Sequence, residues 1–271
     1  MKIFKYFGLI LLIGLTFFYT EKVITVTTEQ DEIMIKIKEY QNISSTDAKN
    51  AIIDNDTIIP GNKGQYIDTD LSYKSMKKIG YFEPSLIVYK DIYPEISIYN
   101  NYNKYIIKGN TKNKYISLLY ILNNNNTLEN ILTISQKYNI TINFFVDSSF
   151  LNNNINLIDK LKSHEVYNYG NNGKYTKDNL IITNNIINNK ANNTANFCLF
   201  TIKNDLSLAN CTNNKMLSLL STNNANSYNI KNNLNNGNFF LIDNTKELNA
   251  IIEYITSKGY NIVPLSTLIT E

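Results

Sequence analysis

The stretch Tyr115-Ile-Ser-Leu-Leu-Tyr-Ile-Leu-Asn123 decides the fold, together with Asn139-Ile-Thr-Ile-Asn-Phe-Phe-Val146 and Ser163-His-Glu-Val-Tyr-Asn-Tyr-Gly170. Each contains a short apolar run of strand length. Between the first two, residues 127–138 carry apolar side chains at helical spacing. Strands that alternate with helices of this length predict βα units and a parallel sheet.

The same alternation continues to the C-terminus. Further strands are predicted at 166–169, 197–202, 216–220, 239–242 and 260–263, and helices at 157–162, 178–189 and 245–258. With the first two strands this makes seven in about 155 residues, which favours a small irregular (β/α) barrel over an open doubly wound sheet.

The order of these motifs resembles the polysaccharide deacetylases (carbohydrate esterase family 4). In that family a first strand and helix precede an "ATFFV"-like strand, and a second helix precedes a "GHEIGNH"-like turn. Two later segments also match, Gly237-Asn-Phe-Phe-Leu-Ile-Asp243 and Lys258-Gly-Tyr-Asn-Ile-Val-Pro-Leu-Ser266. The resemblance covers residues 114–271 and implies an α/β barrel of the deacetylase type.

The resemblance also implies a chemistry, which is metal-assisted hydrolysis of an N-acetyl group. In the family one Asp and two His hold a divalent metal such as zinc, which polarises the acetyl carbonyl and binds the attacking water. A second Asp acts as base, a late His protonates the leaving amine, and an Arg orients the base.

Almost none of these residues remains in this chain. The paired aspartates fall on Ile121 and Leu122, the two metal histidines on Tyr169 and Gly173, and the late histidine on Asp243. The chain contains no arginine, and His164, its only histidine, matches a family histidine that is not a ligand. We therefore expect no bound metal cofactor and no activity of the family's type.

Three surviving polar residues could still contribute to binding, namely His164, Glu165 and Asn168. The ordinary alternative is that His164 is a satisfied core residue, that Asn168 bonds backbone at the turn, and that Asp243 only caps the helix predicted near residue 245.

The composition bounds the protein class. Hydrophobic residues make up 43% and aromatic residues 12% of the chain, which supports a packed core and excludes disorder despite the runs of Asn. A net charge of +3 with scattered lysines gives no reason to expect nucleic-acid binding.

The N-terminus predicts a membrane segment. Lys2 and Lys5 precede an apolar run over residues 6–19, and bulky residues stand where a signal peptidase requires small ones. We predict an uncleaved signal anchor at 1–22, with the bulk of the chain extracellular. Cleavage would instead give a secreted protein.

Two further regions precede the deacetylase-like domain, a stalk helix at 23–46 and a small α+β module at 47–110 around the turn Pro60-Gly61. The two cysteines, Cys198 and Cys211, fall on a predicted strand and the following helix, so an extracellular disulfide is favoured over two free thiols.

Three hypotheses about function follow. The first is a cell-surface pseudoenzyme that binds cell-wall glycan or an envelope partner. The second is a diverged polysaccharide N-deacetylase or other carbohydrate hydrolase, with a new site around Glu165, Asp243 or the small module. The third is an envelope scaffold without a ligand. The sequence leaves open the ligand, the partner and the oligomeric state.

Overall fold

The computed structural model describes the backbone of residues 2–271 and the side chains of residues 10–23 and 25–271. Contacts divide the chain into two units, the first formed by residues 2–48 and 63–92 and the second by residues 49–62 and 93–271. The small module predicted at 47–110 is therefore wrong as a single unit. Its central part belongs with the N-terminal helices, and its two ends belong with the barrel.

The first unit contains three helices and a two-stranded sheet. The helices are α1 (Lys2–Glu29), α2 (Glu32–Ser44) and α3 (Thr69–Lys77), and the antiparallel strands are β3 (Gly64–Ile67) and β4 (Tyr89–Ile92). Its small core consists of Ile33, Ile37, Ile67 and Met76. The predicted stalk is not a separate helix, because α1 continues past residue 23 and only the turn before Asp31, the N-cap of α2, ends it.

Helix α1 contains the predicted membrane segment. Residues Ile10–Glu29 have a mean hydropathy of 1.5 and none of them is buried. Their length and composition suffice to cross a membrane, and signal sequences near an N-terminus share these properties. Met1 and the side chains of Lys2 and Lys5 lie outside the described part, so the basic N-terminal flank stays a prediction.

The second unit is built on a curled ten-stranded sheet. Its strands are β1 (Ile52–Asp54), β2 (Thr57–Ile59), β5 (Tyr105–Ile106), β6 (Tyr115–Leu122), β7 (Asn143–Val146), β8 (Glu165–Asn168), β9 (Phe197–Phe200), β10 (Leu217–Leu220), β11 (Phe239–Leu241) and β12 (Asn261–Ile262). The order is β1-β2-β5-β10-β9-β8-β7-β6-β11, with β12 paired to β6. All these pairs are parallel except β1 with β2, so the sheet is a half-barrel.

Seven helices follow or flank these strands. They are α4 (Leu128–Tyr138), α5 (Ser148–Asn153), α6 (Lys177–Lys190), α7 (Asp205–Asn213), α8 (Ser227–Asn233), α9 (Leu248–Ser257) and α10 (Leu265–Leu268). The predicted helix at 157–162 is a 3₁₀ helix, Ile155–Leu161. The seven strands predicted after residue 114 are all present, and the predicted barrel class is confirmed.

Alternation along β6 separates two apolar cores. Ile116, Leu118 and Leu122 pack with the residues of α4 and α9, whereas Leu119 and Ile121 face the inner core. The inner core also contains Phe145, Tyr167, Phe197 and Phe239. The inside of the half-barrel is thus filled by side chains.

Candidate functional site

Parallel strands end at one edge of the half-barrel, which we call the C-terminal edge. It comprises the loops at residues 123–126, 169–175, 201–204, 221–226 and 242–244, which follow β6, β8, β9, β10 and β11. Ligands of open α/β sheets bind outside the carboxyl ends of strands. The positions that the sequence resemblance assigns to the family's metal site lie at this edge.

The sequence resemblance assigns the family's paired aspartates to the last two residues of β6. Leu122 is fully buried in the core that faces the helices, and Ile121 is partly buried against the inner core. Both side chains therefore contribute to packing, and neither offers a proton acceptor or a metal ligand.

The sequence resemblance assigns the two metal histidines to Tyr169 and Gly173, which contact each other. Gly173 has φ +73°, and a Cβ added to it would lie 3.2 Å from the Tyr169 hydroxyl oxygen. The amide of Gly173 donates a hydrogen bond of 3.1 Å to the carbonyl oxygen of Tyr169. One tyrosine ring therefore covers the space in which both histidine side chains would stand.

The environment of Tyr169 keeps its phenol neutral. Burial raises the pKa of Tyr169, the charge of Asp147 raises it further, and a hydrogen bond with the side chain of Thr201 opposes these effects. The side chain is 9% exposed. At neutral pH it offers a hydroxyl rather than an anionic oxygen.

Asp243 is the one carboxylate among the five family positions. It is exposed, and its Oδ2 accepts a hydrogen bond of 2.8 Å from Nδ2 of Asn224. The suggested capping role is wrong, because α9 begins at Leu248 with Glu247 as its N-cap residue. Asp243 instead joins two loops of the C-terminal edge.

These residues do not fit the family's metal. Ile121, Leu122 and Gly173 carry no donor atom, and the Tyr169 phenol is neutral. Within residues 10–23 and 25–271, no group of three or more His, Cys, Asp and Glu side chains could hold a metal ion.

Glu165 lies at the wrong end of its strand for the site suggested from the sequence. It is the first residue of β8, and Asn168 is the last, so about 10 Å of strand separate them. Its carboxylate accepts hydrogen bonds from the Tyr167 hydroxyl (2.7 Å), the Ser266 amide (3.0 Å) and the Ser266 hydroxyl. Glu165 therefore joins β8 to the C-terminal helix, and burial together with this carboxylate raises the pKa of Tyr167.

His164 also lies before β8, away from the C-terminal edge. Its Nδ1 accepts a hydrogen bond from the amide of Ile142, and its Nε2 lies 3.3 Å from the Ser135 hydroxyl. The Ser135 hydroxyl donates to the carbonyl of Leu132, so Nε2 carries the proton and cannot act as a base toward Ser135. Burial lowers the pKa of His164. The ring lines a cavity of about 450 Å³ that also contains Lys160.

Asn168 lies at the C-terminal edge but is fully buried. Its Oδ1 accepts hydrogen bonds from the Gly170 amide (2.7 Å) and the Ser148 hydroxyl (3.1 Å). Its Nδ2 donates to the carbonyl of Asn179 and to Oδ1 of Asn184. Because all of these groups are protein atoms, Asn168 fixes the loop after β8 and has no amide hydrogen left for a ligand.

Sequence reasoning missed Asp147, a buried acid directly after β7. One carboxylate oxygen caps α5 by accepting from the amides of Ser149 and Phe150, and the other accepts from the amide of Asn172 at 2.7 Å. An Asp between a strand and a Ser-Ser pair is a helix N-cap pattern that could have identified it. Asp147 holds the loop that presents Gly173.

The rim of the C-terminal edge is polar and rich in side-chain amides. Exposed asparagines lie at positions 123–126, 171, 172, 224 and 244. Exposed Thr201, Lys203 and Thr222 complete the rim. An apolar floor thus lies beneath hydrogen-bonding groups that both donate and accept.

Cys198 and Cys211 form the disulfide that the sequence favoured, with their Cα atoms 6.6 Å apart. Both residues are fully buried beside Phe200 and Tyr175. The bond ties β9 to α7 and thereby supports the loop at 201–204.

No protein-family model matches the sequence. The uncharacterized protein YlxY of Bacillus subtilis (strain 168) is 31% identical over 154 residues, which are 54% of this chain and 47% of that protein. The chain thus spans about half the length of the curated relative it matches.

Solved structures match a larger part of the chain. A pseudoenzyme of carbohydrate esterase family 4 from Bacillus anthracis has 20% identity and a TM-score of 0.65, over 89% of this chain and 96% of that one. PdaA of Bacillus subtilis, a family 4 carbohydrate esterase, has 18% identity and a TM-score of 0.51, over 63% of this chain and 86% of that one. The predicted resemblance is confirmed, and the fold of this chain is that of the family 4 carbohydrate esterases.

Proposed function

We propose that this chain is a catalytically inactive, degenerate member of carbohydrate esterase family 4, anchored in the cell membrane with its bulk outside the cell, and that it acts by binding cell-wall glycan. The observation that carries the loss of catalysis is the Tyr169 ring over Gly173. The two positions that hold metal ligands in the family are occupied here by a neutral phenol and by a glycine that contacts it.

The other family positions support the same conclusion. Restoring the aspartate at position 122 would bury a carboxylate in an apolar core, and no arginine is present to orient a base. One solved neighbour is itself described as a pseudoenzyme of this family, and a mutant of that protein as having restored enzymatic activity. The fold can therefore be retained in a protein that has no catalytic site.

Glycan is the ligand that the rim favours. Sugar hydroxyl and acetamido groups both donate and accept hydrogen bonds, and the side-chain amides of the rim match both roles. The net charge of +3 is too small to select a highly charged polymer by electrostatics alone. An apolar floor with an amide-rich rim suits a neutral, hydroxyl-rich chain.

The test of inactivity uses the full chain in detergent with N-acetylglucosamine oligomers. We expect no acetate release with zinc or cobalt added, because the chain has no ligand set to use the metal. Metal-dependent acetate release would overturn the proposal and support a diverged hydrolase.

The test of binding is co-sedimentation of the full chain with purified cell walls. We expect the double variant Asn125→Ala, Asn224→Ala on the rim to sediment less. The matched control is Asn113→Ala, Asn261→Ala, next to the starts of β6 and β12, which we expect to leave sedimentation unchanged. If the unmodified chain also fails to sediment with cell walls, a scaffold without a ligand is supported instead.

A further inference from the structure

The turn after α3 exposes two apolar side chains beside unpaired lysines. Ile79 is 43% and Tyr81 is 58% exposed, and they flank Gly80. Lys74 and Lys78 are exposed as well, and neither forms an ion pair among the residues whose side chains are described. We call residues 78–81 the α3 tip.

The backbone holds the α3 tip in an outward conformation. The amides of Ile79 and Gly80 both donate to the carbonyl of Met76, which ends α3. Gly80 has φ +82°, a conformation that glycine adopts without strain. Phe82 then returns to the core of the unit, where its ring lies 5.9 Å from that of Tyr40. Ile79 and Tyr81 are thereby left on the surface.

The α3 tip lies beside the end of the apolar helix. Lys77, the last residue of α3, forms an ion pair of 2.5 Å with Asp31, and the Tyr73 hydroxyl donates to the same carboxylate at 3.0 Å. Asp31 is two residues beyond Glu29, where both α1 and its candidate membrane span Ile10–Glu29 end. If Ile10–Glu29 crosses a membrane, about 30 Å of helix span the hydrocarbon and the α3 tip lies at the membrane surface.

Single exposed apolar residues are common on soluble proteins and need no explanation. The combination here is different, since a tyrosine and an isoleucine lie next to lysines that have no ion pair among the described side chains, close to the end of the candidate membrane span. Tyrosine is enriched at membrane interfaces, and lysines there attract anionic lipids.

We propose that the α3 tip is a second membrane contact, in which Ile79 and Tyr81 enter the interface and Lys74 and Lys78 bind anionic phospholipid headgroups. The inference rests on the proposed anchoring by α1. Its consequence is that the first unit is held against the bilayer at two places rather than by one helix alone.

The chain contains no tryptophan, so a single substitution supplies a unique fluorescent reporter. The full-length Tyr81→Trp variant is reconstituted in phosphatidylglycerol–phosphatidylcholine vesicles whose acyl chains are brominated near the headgroups. We expect an emission shift to the blue and about a twofold loss of fluorescence from bromine quenching. Ile79→Trp is the second reporter, should Tyr81→Trp disturb folding.

The matched control is Tyr66→Trp, in the same unit and 38% exposed. Tyr66 precedes α3, whose nine residues span about 13 Å, so it lies at the opposite end of the helix from the tip. We expect little quenching there. We also expect Lys74→Gln, Lys78→Gln to reduce the quenching of the tip reporter, and added salt to have the same effect.

A third reporter separates this inference from the anchoring on which it rests. Phe17→Trp lies within the apolar stretch of α1 and is measured in vesicles whose acyl chains are brominated near their ends, at the centre of the bilayer. Quenching of Phe17→Trp without quenching at positions 79 and 81 would overturn the second contact and leave the anchor in place. Absence of quenching at all three positions would overturn the anchoring itself.

Discussion

The Tyr169 hydroxyl oxygen lies 3.2 Å from the point where a side chain at Gly173 would begin. This contact decides what the C-terminal edge can do. A histidine at position 173 needs the space that the ring occupies, and a histidine at position 169 would uncover it. The side chains at positions 169 and 173 therefore depend on each other for space, even though four residues separate them in sequence.

The contact predicts that Gly173→Ala lowers the free energy of unfolding more than a glycine-to-alanine change at a comparable turn. The substitution meets both a left-handed backbone and the Tyr169 ring, so we expect a loss of about 2 kcal/mol in the free energy of unfolding. The matched control is Gly259→Ala, with a similar φ of +75° and only the tip of a lysine side chain at 3.9 Å. It should lose about 1 kcal/mol.

Denaturant unfolding of both variants measures the difference. Adding Tyr169→Ala should remove the part of the Gly173→Ala destabilisation that comes from contact with the ring. The part that comes from the left-handed backbone should remain. Equal losses for the two glycine variants would show that the ring does not restrict position 173.

Leu122→Asp should be strongly destabilising. The carboxylate would enter a fully buried apolar core without a partner, which costs about 4 kcal/mol. Ile121→Asp should lose less, because that side chain is only partly buried. Thermal unfolding of the two variants provides the comparison. Leu122→Met is the control for a change of side-chain shape without a charge. A mild effect of Leu122→Asp would indicate that a metal-ligand position remains available.

His164 makes stability depend on pH below neutrality. Burial lowers its pKa in the folded state from 6.5, so the unfolded chain binds a proton first as the pH falls. The contribution of His164 is therefore complete above about pH 6.5 and is lost as the pH falls toward the folded pKa. Because His164 is the only histidine, His164→Asn should flatten the stability profile in this range. An unchanged profile would mean that His164 titrates normally in the folded protein.

Removal of the disulfide should weaken the barrel without removing the fold. Cys198 and Cys211 are 13 residues apart, and a loop of this size is expected to contribute about 3 kcal/mol. The double variant Cys198→Ala, Cys211→Ala should show this loss in chemical unfolding. Mass measurement of the chain, alkylated before purification, should find both cysteines oxidised. Two alkylated cysteines would contradict the bond.

Much of the second unit followed from local pattern. The strand at 115–122 and the helix at 128–138 could be predicted because apolar periodicity and length are local properties. The joining of β1, β2 and β5 to the barrel sheet could not be predicted, because β2 pairs with β5 and β5 pairs with β10, and these strands lie far apart in the chain. The placement of Glu165 failed for a different reason, since the motif that contains it runs along the whole length of β8 and Glu165 lies at the start of that strand.

The sequence by itself determined that the catalytic residues of the deacetylases are absent. A chain with one histidine and no arginine cannot supply two histidine ligands, a histidine acid and an orienting arginine, whatever its conformation. Only the tertiary structure decided what replaced the site. In the folded chain the Tyr169 ring lies over Gly173, Glu165 accepts hydrogen bonds from Ser266, and the α3 tip lies beside the end of α1. Local sequence patterns do not predict these contacts, because each depends on how the chain folds in three dimensions.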